Sequence, residues 1–337
     1  MRSPVAERAP FVVAAFGVLV ASVLIAPLIG SSSISFARVF DFGIPYEQNV
    51  DAQIFFIARL PRALAAAIVG ASLAAAGVVF QALLRNPLAT PYTLGVSTGA
   101  SLGAMLAITF GWSLPGILSR ALPAVSAAAL LGAMGSVLIV YWLARARHSG
   151  LSTTVLLLAG VTLNSFFSAL ILFVQYIGNF ADVYRAMRWL MGNLDVSSYT
   201  QIAGALPFIG LATVIFVWLA KPLNLLAAGV DAAESRGLDV QRTQRLAFFS
   251  ASIITGAAVS IGGPIGFVGI IVPHLVRLVA GADHRIVLPA SAFVGGAFLV
   301  VCDVIARTIL SPVELPVGIV TATIGGPFFL WMLIRRT

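Results

Sequence analysis

The sequence predicts an all-α membrane protein of ten transmembrane helices, and three observations predict it. The chain is 60% hydrophobic and only 9% charged, with a mean hydropathy of +1.03; a soluble domain carries about 25% charged residues. Apolar runs of about 20 residues recur along the whole length, enough for a helix to cross a bilayer. The breaks between them carry proline, glycine and charge, and the short alternating segments of a transmembrane barrel do not occur.

In order, the spans are 11–30, 60–83, 93–110, 121–144, 152–176, 200–220, 246–263, 265–281, 286–309 and 317–334. The first follows Arg2 and Arg8 in the manner of a signal peptide. Its apolar run exceeds the roughly 7–15 residues of a signal core, so it reads as a retained helix. The second opens with two arginines, Arg59 and Arg62, one helical turn apart at its lip. GVSTG at 95–99 opens the third and matches the G-x-S-x-G hydrolase elbow, which needs a strand-to-helix turn and a histidine partner. Here Gly95, Gly99 and Gly103 instead form a small-residue stripe suited to close helix contact.

RNPLATP at 85–91 and the loop 150–154 read as turns on one side of the membrane, either of which could also narrow a pore. Between the fifth and sixth spans, NFADVYRAMRWLMG carries Arg185 and Arg188, which a short helix would set on one face. They are either interfacial anchors or a basic funnel for anionic cargo. GVDAAESRGLDVQR at 229–242 is the longest polar insert after the sixth span. Asp231 to Arg236 can form a short helix that Gly237 ends in a left-handed conformation, serving as a solvated connector or as a docking surface. GGPIG at 262–266 divides the seventh span from the eighth. Asp303 and Arg307 are spaced i, i+4 near one end of the ninth.

Ten spans put both termini on one side. With the N-terminus inside, thirteen of the twenty arginines and lysines are cytoplasmic; Arg38, Arg59, Arg62, Arg120, Arg185, Arg188 and Arg307 lie outside. The positive-inside tendency therefore predicts cytoplasmic termini, and it accounts for the net charge of +8 without nucleic acid. The five tryptophans fall near span ends, as an interfacial belt requires. A single cysteine, Cys302, excludes an intrachain disulfide and a cysteine metal cluster. His148, His274 and His284 lack tight ligand spacing, which favours structural histidines over a metal site. Lys221, the only lysine, lacks the preceding glycines of a phosphate-binding loop, so ATP hydrolysis must come from another chain. Of twelve acids only Asp303 lies within a span, which disfavours an ion-coupled secondary transporter. An intramembrane enzyme would need a nucleophile or acid–base cluster, and the sequence offers none.

Several stretches together resemble the permease family that imports vitamin B12, haem and ferric siderophores, the FecCD-type membrane subunits of binding-protein-dependent ABC importers. They are RLPRALAAAIVGASLAAAG (59–77), QALLRNPLATP (81–91), LLLAGVTLN (156–164), RWLMGNL (188–194), GPIGFVGIIVPHLVRLVAGADHR (263–285), DVIAR (303–307) and ELPVGIVTATIGGPFFLWML (314–333). The resemblance covers nearly the whole chain, 1–337, as one permease domain. It implies ten spans in a five-plus-five inverted repeat, as in type II ABC importers, in a bacterial inner membrane. It also implies a homodimer around a central path, two copies of a cytoplasmic ATPase that holds the ATP and Mg, and a periplasmic substrate-binding protein. This chain itself is expected to hold no cofactor.

The resemblance further implies a coupling region at 223–242, with Asp231, Ala233, Glu234, Ser235, Arg236, Gly237 and Leu238 against the ATPase. Asn86, Leu88, Ser152 and Thr153 correspond to the inner gate, and Arg59, Arg62 and Arg307 to positions that meet acidic residues of the binding protein. The alternative for these arginines is internal neutralisation, by Asp41, Glu47 or Asp51 for the first two and by Asp303 for Arg307. For cargo, the propionates of haem and the charge of many ferric siderophores suit Arg185 and Arg188. Iron complexes therefore rank ahead of cobalamin and haem ahead of siderophores, although no outward histidine is present to ligate haem iron.

Overall fold

The computed structural model describes residues 4–41, 43–116, 122–145, 152–195 and 198–336. Arg2, Arg120, Arg147, His148 and positions 150–151 lie outside the described residues. Among the described residues all regular structure is helical. The helices are α1 (Pro4–Ile25), α2 (Val50–Leu83), α3 (Val96–Thr109), α4 (Ala124–Arg145), α5 (Thr153–Ile177) and α6 (Phe180–Leu190). They continue with α7 (Tyr199–Ala227), α8 (Val230–Glu234), α9 (Val240–Gly262), α10 (Val268–Ala280), α11 (His284–Thr308) and α12 (Val317–Arg336).

Local chemistry sets several of the starts. The side chains of Asn179, Asp239 and Asp283 accept backbone amides at the starts of α6, α9 and α11, at 2.9, 2.9 and 3.0 Å, and so satisfy donors that a helix start leaves open. Thr90 and Thr93 cap each other reciprocally in the turn Pro91–Leu94 that precedes α3. α2 is continuous but carries a π-helical stretch at Ile54–Arg59, directly ahead of the Leu60–Pro61 step.

Seven helices among the described residues are long and apolar enough to cross a membrane: α1, α2, α4, α5, α7, α9 and α11. Three shorter apolar helices, Val96–Thr109, Val268–Ala280 and Val317–Met332, occupy the remaining predicted positions. At 1.5 Å per residue a helix of 13 residues covers only about 20 Å of a hydrocarbon core about 30 Å thick. The ends of the long helices differ from the predicted spans as well. α7 continues seven residues past 220, and α9 begins at Val240 rather than 246, because a polar first turn caps on Asp239.

The helices run alternately between two faces. On one face, here called the termini face, Arg8 of α1 donates to the Ala280 carbonyl at the end of α10 (2.6 Å), and Asn224 at the end of α7 meets Asp283 before α11 (2.7 Å). On the opposite face the start of α2 meets the end of α11, and Tyr199 at the start of α7 donates to the Phe56 carbonyl (2.7 Å).

α2 lies at the centre, against α7, α9, α10 and α11. Its most apolar stretch is 83% buried, against 28% for α5 and α7 and 17% for α1. Glycine makes that enclosure possible. A Cβ on Gly70 would run into the Gly295 carbonyl of α11, and one on Gly77 into the Gly269 carbonyl of α10. Backbones this close gain dispersion contacts that larger residues would prevent. The stripe at Gly99 and Gly103 packs in the same way, against the Gly132 and Ala128 carbonyls of α4.

Candidate functional site

The predicted functional residues fall into three groups, one at each end of the bundle and one on a ledge. On the opposite face Arg59, Arg62 and Arg307 converge, but inward. They are 6%, 7% and 4% exposed, and Asp303 between them is 1% exposed. Arg62 donates from Nε to Asp303 Oδ1 at 2.8 Å and from Nη1 to Glu314 Oε2 at 2.5 Å. Arg307 Nε lies 3.0 Å from Asp303 Oδ2, an ion contact that lacks hydrogen-bond geometry, and its Nη2 reaches the Ala26 carbonyl at 3.3 Å. Arg59 donates to the Pro27 carbonyl (3.2 Å) and to the Ser32 carbonyl and hydroxyl. Three guanidiniums thus face two carboxylates.

Of the internal partners weighed from the sequence, Asp303 is present and those in the first loop are not. Asp51 accepts from the Ser35 amide and Asp41 from the Gly43 amide. Glu314, half exposed, takes the role instead. It lies 252 positions from Arg62, yet both map to the same side once the spans are counted, and that shared side was the available signal.

On the ledge between α5 and α7, α6 carries Arg185 and Arg188 on its exposed side. Arg185 pairs with Asp182 one turn back, and Arg188 lies 3.5 Å from Asp195. Each arginine of the predicted funnel therefore has an acid beside it. Their side chains remain 68% and 52% exposed; the contact of Arg188 with the exposed Asp195 is solvent-screened, whereas Asp182 is buried and also accepts from Asn179.

The termini face carries the coupling and gate residues. α8 (Val230–Glu234) is followed by Gly237 at φ +79°, the left-handed end expected for this insert. Ala233 is fully buried and Leu238 half-buried, whereas Asp231, Glu234, Ser235, Arg236 and Gly237 are exposed. Ala233 and Leu238 thus hold the turn, and the Leu238 amide bonds the Ala233 carbonyl at 3.1 Å. Behind the insert, Asn224 donates to Asp283 (2.7 Å), and its carbonyl oxygen accepts the His284 amide (2.8 Å) and contacts His284 Nδ1 (2.7 Å). Hydrogen bonds from Arg285, and then from Asn224, hold the Asp283 carboxyl well below the usual carboxylate range, so it stays charged at neutral pH.

At the gate segments, Asn86 caps the turn by accepting the Leu88 amide at 2.9 Å. Ser152 and Thr153 open α5, where the Ser152 carbonyl accepts the Leu156 amide at 2.9 Å. Deeper in the bundle, Asn164 of α5 donates to the Tyr92 carbonyl of the turn Pro91–Leu94 at 2.7 Å and ties α5 to the chain that follows Asn86. The two described histidines have structural surroundings, His284 on Asn224 and His274 edge-on to Phe328. Among the described residues no group of three His, Cys, Asp or Glu side chains could hold a metal ion.

This geometry generates a prediction. Asp303→Asn leaves Arg62 and Arg307 buried without their shared counter-charge, and breaking a buried pair costs about 3–5 kcal/mol. Arg188→Ala removes the exposed contact with Asp195, worth about 1 kcal/mol or less. Thermal unfolding in detergent should show a large loss for the first and almost none for the second. Equal melting of both variants would remove the structural role assigned to the cluster.

Comparison with known proteins matches this architecture closely. The model of the FecCD transport family matches residues 18–335. The uncharacterised ABC transporter permease protein YvrB of Bacillus subtilis is 40% identical over 330 residues, covering 95% of this chain and 92% of its own. The cobalamin import system permease protein BtuC of Halobacterium salinarum is 43% identical, covering 90% and 79%. The hemin transport system permease protein HmuU of Yersinia pestis is 38% identical, covering 82% of each. A solved structure, assigned to a metal-chelate type ABC transporter in an inward-facing conformation, superposes with a TM-score of 0.84 at 32% identity over 96% of this chain and 98% of the other. With its enclosed α2 and a family match over nearly its full length, the chain belongs to the FecCD transport family, the membrane permease subunits of ABC importers.

Proposed function

We propose that this permease moves a bulky iron complex, haem or a ferric siderophore, from periplasm to cytoplasm across the bacterial inner membrane. The observation that carries the reading is the similarity over nearly the whole chain both to a hemin permease and to a metal-chelate transporter. Cobalamin is the second reading. It is favoured by the Halobacterium relative and by the acids beside Arg185 and Arg188, which weaken the case for a funnel selecting anions.

In this reading all ten apolar helices span the membrane. The short α3 and α10 are lengthened by the turns at Pro91–Leu94 and 263–267 that precede them. The excess of arginine toward the termini face supports cytoplasmic termini. Five spans per half make any repeat inverted, since five is odd. Two copies of the chain work with two copies of a cytoplasmic ATPase, which holds the ATP and Mg, and with a periplasmic binding protein. The gate comprises Asn86, Leu88, Ser152 and Thr153.

The experiment that tests the reading is uptake into vesicles with the reconstituted partners. It should require ATP and resist an uncoupler, and the binding protein as isolated should carry a Soret band or a siderophore charge-transfer band. A corrin spectrum would select the second reading, and uncoupler-sensitive uptake without ATP would end both.

Binding-protein docking at Arg59, Arg62 and Arg307 is part of the same proposal. Because the three are buried, an acidic residue of the partner must displace Glu314, the exposed acid of the cluster, to engage Arg62. Glu314→Gln should therefore speed association and make it more salt-sensitive, since complementary charge acts chiefly on the association rate. Stopped-flow association that is unchanged at low and high salt would count against docking there.

The exposed part of 223–242, namely Asp231, Glu234, Ser235, Arg236 and Gly237, is proposed as the ATPase contact, with Ala233 and Leu238 behind it. Gly237→Val forces a β-branched residue into a left-handed turn at an exposed position where its Cβ meets no neighbour within 4 Å. Its effect should therefore be confined to the insert: ATPase co-purification and coupled hydrolysis fall while the permease melts as wild type. Unaltered co-purification would refute the assignment.

A further inference from the structure

A groove of about 910 Å³ runs between α2, α7 and α11. Ala75, Phe216, Val217, Leu288 and Phe293 are among its walls. Apart from the hydroxyls of Ser72 and Thr213, the second of which is spent on the Ile209 carbonyl at 2.7 Å, and the indole N–H of Trp218 near the charged end, the lining side chains along its length present carbon. It opens outward from the bundle, because α7 exposes Val217 beside it at 75%.

The polarity is gathered at one end. Lys221 and Arg285 are the only charged residues lining the groove, and both are exposed. Arg285 is held by Asp283, whereas Lys221 makes no ion pair among the described residues. Pro222 and Pro289 also line this end, and having no N–H they leave the carbonyls of Trp218 and Arg285 without their usual helical donors. From Leu206 to Lys221 the groove follows α7 for roughly 22 Å, longer than the hydrocarbon depth of one leaflet, about 15 Å.

A cationic mouth with spare acceptors above a long apolar trough is complementary to one kind of molecule. We propose that the groove binds an acidic glycerophospholipid, with its phosphate at Lys221 and Arg285, its headgroup hydroxyls toward the freed carbonyls and one acyl chain along the trough. The site rests on the membrane reading above, whose orientation assigns the lipid to the cytoplasmic leaflet. Basic pockets between transmembrane helices on that side recognise anionic headgroups for the same electrostatic reason.

The test uses the full-length chain, delipidated in mild detergent and titrated with phosphatidylglycerol, with phosphatidylcholine of the same acyl chains, and with glycerol 3-phosphate. Native mass spectrometry reads occupancy. Phosphatidylglycerol should bind at least about fivefold more tightly than phosphatidylcholine, and Lys221→Gln should remove about fivefold of that preference. Ala292→Phe, which fills the groove and keeps the cations, should weaken both lipids. Lys221 is exposed, so its variant keeps the test open if Ala292→Phe does not fold. Equal affinity for the two lipids, or an unchanged preference in Lys221→Gln, would overturn the proposal. So would glycerol 3-phosphate binding as tightly as the lipid, or a change of oligomeric state in Ala292→Phe without loss of lipid, which would give the groove to a second copy. Occupancy is read without transport, so failure of ATP-driven uptake would sink the importer reading and leave this one standing.

Discussion

The close approach of α2 to α10 and α11, backbone against backbone at Gly70 and Gly77, is the contact on which the other arrangements depend. Inside a bilayer the hydrophobic effect does not drive one apolar helix against another, so packing has to supply the attraction. Small residues supply it by bringing whole backbones within dispersion range. Once α2 is enclosed, the apolar side chains on the outer faces of the peripheral helices are left turned away from the bundle. Leu158 and Leu172 of α5 and Val214 and Val217 of α7 are mostly exposed for that reason. The closest contacts at the centre are thus made by alanine and glycine, with Leu73, Phe80 and Phe248 filling the space beside them, and leucine, valine and phenylalanine also clad the outside where lipid can reach.

Enclosure also decides what happens to charge. Arginines at the lip of a peripheral helix can extend toward headgroups and water. Arg62 lies where α2 enters the surrounding protein, so its charge is met from within, by Asp303 of α11 and by Glu314 beyond it. Arg59 turns to carbonyls of the α1 end and its following loop, which the π-helical stretch brings into reach. The pairs on α6 show the contrary case. Their arginines are exposed and their acids lie close in sequence, and the buried one, Asp182, is held by Asn179 three residues before it.

Much of this was legible in the sequence because bilayer helices announce themselves by length and composition. The apolar runs, the α8 turn with its left-handed Gly237 and the stripe at Gly99 and Gly103 depend on local pattern alone. What escaped depends on contacts between distant segments or on ends without a composition change. The start of α9 is amphipathic, with Gln241, Arg242 and Arg245, so an apolar count begins it late. The short length of α3 and α10 was hidden because the turns before them are themselves apolar. At the candidate site, the sequence offered Asp303 as a partner for Arg307 through their spacing. The direction in which the arginines point depends on Glu314 and on the loop after α1, and neither is encoded near them.

α11 deserves one last mechanical consideration. Its first residues are bolted to Asn224 at the end of α7, and its last carry Asp303 and Arg307 into the buried ion cluster. Twenty-five residues of unbroken helix make a strut of roughly 37 Å between those two anchorages. Pro289, the one proline within it, lies a turn and a half from the Asn224 anchorage, and the Gly295–Gly296 pair beyond it is clamped against Ala67, Gly70 and Ala74 of α2, so the shaft is braced where it could bend. A tilt imposed where α7 ends is therefore levered along the shaft to the other side of the bundle, where it must rotate the carboxylate that two arginines share.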